Sequence, residues 1–354
     1  MATRRSIRAI TASEKQDFVD ALLFLKHERN GQDGLSTYDR YVVSHAQSMN
    51  QYSRYESDLR PTMIERFRQT LPPSQPDALF LTRRNAAHRG PAFLPWHREF
   101  LRQFEADLQR VLGNPDFGLP YWDWEHDGNL PASEQINAAV WDFLGGDGDI
   151  AIQNIVTSGP FGFDVNDAAL LTDPTVFDDP KIWITVDPLG HRNGFLRRSL
   201  GRTLDLAGNV VAPTLPDSSH VNDAVMNAAQ YDDGNWDERS SATNSFRCVL
   251  EGFTGPSGLH NRIHQWVGGS MGPGTSPNDP VFFLHHCNVD RIWSLWESEH
   301  AGQEYKPQSN GPIGHNWTDL MYPWNGKQTN LSITVENAAR MDDFDYAAPP
   351  QFMV

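Results

Sequence analysis

The sequence predicts a mainly α-helical protein, with a four-helix core beneath long loops. Three observations lead there. Apolar residues recur at helical spacing toward both ends of the chain. Histidines fall on those same helical stretches. The middle, residues 127–245, is rich in Gly, Pro, Asp and Asn and carries only short periodic runs. With 354 residues, 39% of them hydrophobic, the chain can bury a large core, and it is read as one domain over 1–354.

Thr11 and Glu14 form a capping-box pattern ahead of Phe18, Leu22 and Leu25, which predicts a helix over 12–29. Tyr38, Val42, His45 and Met49 share one face of a second helix over 37–51, so His45 points toward the core. A third helix is expected over 59–71. A further one is expected to begin at His97, with Phe100, Phe104, Leu108 and Val111 on its stripe, and the segment 119–124 closes that unit. In 127–245 the expectation is surface loop with short helices near 133–143 and 220–231 and no second hydrophobic core. Helix resumes over about 257–267. Asp279 followed by Pro280 then reads as an N-cap and first helical position for a helix running to Glu299. The last stretch is loop-rich.

His260 and His264 stand at i and i+4, which stacks two imidazoles on one helix face within reach of one ion. His286 lies on the next helix. His45, His88 and His97 would supply a second triad, from two helices and the loop between them. Neutral imidazole suits copper, zinc and iron. Three nitrogens per ion leave positions open for an outside ligand, whereas a closed structural site would use four ligands, usually with Cys. For any one of these histidines the ordinary alternative is a satisfied core or surface residue. Only Cys248 and Cys287 are present, so no disulfide framework is expected.

Several segments resemble the type-3 copper family of tyrosinases, catechol oxidases and hemocyanins, and most of all the short bacterial tyrosinases. They are His88-Arg-Gly-Pro-Ala-Phe-Leu-Pro-Trp-His97, Tyr121-Trp-Asp-Trp124, Leu250-Glu-Gly-Phe253, His260 through Trp293, and Met321-Tyr-Pro-Trp324. The resemblance implies two copper ions per chain with dioxygen as co-substrate. One copper would be held by His45, His88 and His97, the other by His260, His264 and His286. His45 matches more loosely, and its distance from His88 implies an insertion at about 47–84. His285 adjoins His286 and projects about 100° away from it on a helix, so it is expected behind the ligand rather than on the ion. Glu105, Asp123 and Asp290 are expected to orient imidazoles, with surface carboxylates or structural ion pairs as the alternative.

The resemblance further implies that Glu251 and Asn261 hold a water that takes the phenol proton, because a phenol's pKa of about 10 calls for a base. The alternatives are a carboxylate capping the turn before Gly252 and an amide bonded to backbone. Phe253 is expected near the substrate ring and Gln265 at the entrance. Gly274, with Gly272 and Pro273, would leave the mouth open to varied phenols. Ala86 stands where some relatives carry a thioether-forming Cys, so none is expected. Cys287 reads as a buried thiol. No lid domain is expected after Tyr346.

The activity implied is that of a tyrosinase, ortho-hydroxylation of monophenols followed by oxidation to o-quinones. The rivals are a catechol or o-aminophenol oxidase, an oxygen carrier and, more distantly, a zinc hydrolase. The net charge of −16 disfavours nucleic acid and anionic membrane as partners. Small phenols are the expected partners. Some short bacterial relatives also load copper through a helper protein, and a cationic one would be attracted. The basic start lacks a following apolar run, so no signal peptide is read and the protein is expected in the cytoplasm or exported with a partner.

Overall fold

The computed structural model describes residues 1–31, 33–50, 85–164, 182–241, 244–254, 258–326, 329–340 and 342–349. Seven helices matter for the site: α1 (Ala12–His27), α2 (Thr37–Asn50), α3 (Phe93–Leu112), α4 (Ser218–Asn227), α5 (Phe246–Glu251), α6 (Leu259–Val267) and α7 (Val281–Glu299). The helix expected over 59–71 lies outside the described residues.

The capping box of α1 forms as read. Thr11 Oγ1 accepts from Glu14 N–H (3.2 Å) and Glu14 Oε2 accepts from Thr11 N–H (2.7 Å). Helix α3 begins at Phe93, a full turn earlier than expected, which places His97 in the second turn. Pro95 permits this, because a first-turn residue has no intrahelical use for the N–H that proline lacks. Gly113 ends α3 in the left-handed region at φ 60°.

At the start of α7, Asp279 accepts from Val281 N–H (3.1 Å). Its carboxylate is also gripped by Arg198 from the loop-rich region, through Nε and Nη2 at 2.7 Å each. Both side chains are fully buried. A buried pair of this kind is weak evidence of net stabilisation, yet losing one partner costs about 3–5 kcal/mol because the other charge is stranded. The loop region is therefore tied to the helix that carries His285 and His286.

One buried apolar cluster runs from Ile7 to Ala338 and takes in Trp141, Phe143, Phe161 and Trp183 from the loop-rich region. That region also has a small cluster of its own, Ile155, Phe163, Ile184 and Phe195. It contains the antiparallel pairs Gly148–Asp149 with Ile155–Val156 and Ile184–Val186 with Arg192–Phe195. Strands of two to four residues are too short to show a sequence period, which is why only loop and helix were expected there. Near the chain ends, Ala2–Arg4 pairs in parallel with Phe344–Tyr346. Among the described residues no helix is long and apolar enough to cross a membrane.

Candidate metal centre

Helices α2, α3, α6 and α7 carry six of the seven histidines that converge, and His88 comes from the loop before α3. One ring nitrogen from each of His45, His88 and His97 lies within 4.8 Å of the others, and so does one from each of His260, His264, His285 and His286. The two groups abut. His97 stacks on His286 with centroids 4.1 Å apart and planes 9° apart, and His88 approaches His260 at 5.7 Å. The structure brings the six histidines expected as ligands into two groups and adds His285 to the second.

Four of the rings are pinned by backbone. Nδ1 of His45 donates to Gly274 O (2.7 Å), that of His97 to Phe93 O (2.8 Å) and that of His264 to Met271 O (2.7 Å). Nδ1 of His260 faces Glu251 O (3.2 Å) and Asn261 Oδ1 (3.1 Å). A carbonyl partner fixes the proton on Nδ1 and leaves Nε2 with a lone pair. The Nε2 atoms of His45, His97, His260 and His264 are buried without a hydrogen-bond partner, as are both nitrogens of His285 and His286 and Nδ1 of His88. Buried polar atoms are rarely left so, because each forfeits its hydration. A cluster of such atoms fits a bound metal, and an all-imidazole donor set suits copper.

Two phenylalanines hold the rings from the side. Phe93 packs on His97 (4.9 Å) and His260 (4.9 Å), and Phe282 on His286 (4.2 Å) and His45 (5.0 Å). Each stands one helical turn before a histidine, a spacing visible in the sequence but not singled out there.

Burial pushes the imidazoles down from their usual range, His45 to about 3 and His264 to about 4. His88, His97, His260, His285 and His286 are also displaced well downward, first by burial and then by neighbouring histidines. All are neutral at neutral pH, as ligands must be. The unfolded chain protonates His45 below about pH 6.5, whereas the folded chain resists until about pH 3. Stability of the metal-free protein is therefore full above pH 6.5 and lost as pH falls. His45 alone is expected to account for about 2 kcal/mol at pH 5. Denaturant midpoints of chelated protein at pH 7.5 and pH 5 check this, and equal midpoints would refute it.

Glu251 is fully buried. Its Oε1 accepts from Arg89 N–H (2.5 Å) and its Oε2 from Arg247 Nη1 (3.1 Å). It does not cap the turn before Gly252. Burial pushes its carboxyl up to about 7, against the pull of Arg247. Glu251 and Asn261 flank one imidazole, His260, the first through its carbonyl and the second through its amide oxygen. Phe253 is half-buried beneath the Arg89 guanidinium at 5.5 Å, and Gln265 is exposed. Gly274 has a role beyond openness, since its carbonyl holds His45 and an added Cβ would come 3.1 Å from the Met49 sulfur.

The three carboxylates expected to orient imidazoles bind arginines instead. Asp290 accepts from Arg98 Nε (2.7 Å), Arg4 Nη1 (3.1 Å) and Tyr346 OH (2.6 Å). Glu105 accepts from Arg4 (2.9 and 3.1 Å) and Leu119 N–H (2.6 Å). Asp123 accepts from Ser6 (2.9 Å) and Arg8 (3.0 Å). A buried carboxylate gains most from a fixed cation, and the two chain ends bring arginines and Tyr346 to α3 and α7. Cys287 is a buried thiol directed at Leu119 O (3.4 Å), as read.

Residues 35–299 match the family model described as the common central domain of tyrosinase. The chain belongs to the tyrosinase family. It is 35% identical over 327 residues to the tyrosinase of Streptomyces glaucescens, covering 92% of this chain and 93% of that one. It is 30% identical over 348 residues to grixazone synthase of Streptomyces griseus, covering 92% and 94%. Among solved structures, a functional unit of Octopus hemocyanin aligns at TM-score 0.51 and 19% identity, over 98% of this chain and 68% of that one. A latent aurone synthase aligns at TM-score 0.55 and 17% identity, over 99% and 58%. These two likenesses concern the fold alone. This tyrosinase-family protein is a copper oxidoreductase, and its two histidine groups are where the family's copper centre would sit.

Proposed function

We propose that the protein hydroxylates monophenols at the ortho position and oxidises the resulting o-diphenols, so that monophenol and dioxygen go to o-quinone and water. The observation that carries this reading is the pair of abutting, all-imidazole clusters with their buried, unpartnered nitrogens. His45, His88 and His97 would hold one copper, and His260, His264 and His286 the other. When bound, the coppers supply dioxygen binding and electron transfer.

The chain's own groups do the rest. Carbonyls of Gly274, Phe93, Met271 and Glu251 fix the tautomers and aim of four ligands. The Glu251 carboxylate and the Asn261 amide polarise a water beside His260, and that water accepts the phenol proton. Phe253 offers an aromatic face to the substrate ring, and Gln265 borders the way in. Small phenols are the substrates. A cationic helper protein for copper loading is compatible with the net charge of −16.

The test is oxygen uptake by copper-loaded protein given tyrosine or a simpler monophenol, with quinone absorbance followed in parallel. Uptake with quinone formation, after a lag shortened by added catechol, is the expected result. Oxidation of catechol alone would overturn the monophenol part of the reading. Reversible oxygenation without quinone would overturn the whole of it.

A further inference from the structure

The link from His88 to helix α3 is four residues long, Arg89, Gly90, Pro91 and Ala92, and its backbone is held by side chains from three distant segments. Arg89 has φ 58°, a left-handed conformation that a non-glycine residue adopts only when its surroundings hold it there. Its N–H donates to Glu251 Oε1 (2.5 Å). Pro91 O accepts from Tyr231 OH (2.6 Å). Ala92 N–H donates to Nδ1 of His315 (3.1 Å).

His315 lies outside the motif segments quoted from the sequence, yet it is 1% exposed. Ala92 stands at the N-cap of α3 and makes no side-chain cap bond. The first N–H groups of a helix have no partner within it. The His315 imidazole meets one of these needs from 223 residues away in sequence. A backbone N–H can only donate, so Nδ1 carries no proton and is committed as an acceptor. The ring also lies against Gly90, where an added Cβ would come 2.7 Å from its Cε1. His315 is itself held in place. Its carbonyl accepts from Tyr305 OH (2.7 Å) and its N–H donates to Pro312 O (3.1 Å).

We propose that His315 is a positioning residue for the His45–His88–His97 site: by capping α3 at Ala92 and bearing on Gly90, it sets the angle between the loop that presents His88 and the helix that presents His97. It binds no metal itself. This rests on the reading that the three histidines hold a copper.

The experiment is a copper titration of metal-free wild type, His315→Ala and His315→Asn, with thermal midpoints of the metal-free proteins measured alongside. The Asn Oδ1 occupies about the place of Nδ1 and can accept from Ala92 N–H. The alanine variant is expected to bind one copper about 10- to 100-fold more weakly, the scale for groups that orient ligands, with the other unchanged. The asparagine variant is expected to bind both as wild type does. Wild-type binding by His315→Ala would overturn the proposal. Equal loss in both variants would overturn it too, because packing volume rather than the acceptor would then be at work. If His315→Ala fails to fold, His315→Asn decides, with support from intact binding and refutation from its loss. Absence of copper binding by the wild type would instead refute the underlying copper reading.

Discussion

Replacing His286 by alanine is expected to leave one copper per chain and to remove oxidation of both monophenols and diphenols. His285→Ala is expected to retain both coppers. The two residues are neighbours on α7, and both rings reach the second histidine group. Their surroundings differ. His286 lies flat against His97 at 4.1 Å and tilted against Phe282 at 4.2 Å, so it sits between the two histidine groups. His285 lies along His260 at 5.1 Å and toward Trp124 at 6.3 Å, on the far side. Changes to groups that merely orient a ligand weaken metal binding by about 10- to 100-fold, and loss of a ligand should exceed that. Copper analysis after reconstitution, together with oxygen uptake on catechol, reads both variants. If His285→Ala loses a copper and His286→Ala keeps two, the ligand assignment on α7 is reversed.

Glu251→Gln is expected to lower monophenol turnover by about 100-fold or more, the scale of a lost general base, and diphenol turnover much less. A phenol must lose its proton before it can be hydroxylated, and burial has raised Glu251 to about 7, a value matched to proton transfer at neutral pH. The same carboxylate has structural duties that must be separated from this one. It accepts from Arg89 N–H beside His88, and it faces Arg247, which is fully buried and also pairs with Asp232 at 2.8 Å. Glutamine can still accept from Arg89 N–H but meets the Arg247 cation with a dipole. A stability loss of about 1–3 kcal/mol is expected alongside. Diphenol turnover and copper content serve as the internal control. A fall of both activities by the same factor would refute the proton-transfer role and leave Glu251 as a clamp between the two histidine groups.

The helices and the convergence of the histidines were legible in the chain because both obey local rules. Apolar periodicity reports a helix face within a few turns, and a histidine on that face must look inward, as His45, His260 and His264 do. Spacing also separated the two histidine groups, since a triad drawn from α2, the loop and α3 is complete before the α6–α7 segment begins. The short hairpins of the middle region were not legible, because two to four residues hold no period.

Tertiary structure alone decided what stands behind four of these histidines. The groups that pin His45, His97, His264 and His260 are the carbonyls of Gly274, Phe93, Met271 and Glu251, and every residue has a carbonyl, so residue type carries no sign of which one will serve. Asp290, Glu105 and Asp123 looked suited to that task by type and position, but the chain ends delivered Arg4 and Arg8 to them, along with Arg98 of α3. His315, unremarked by any motif, reached the cap of α3 by the same kind of long-range return. Local pattern determines which side chains face inward. Which inward-facing groups meet depends on how segments hundreds of residues apart close over one another, and that is settled only when the core packs.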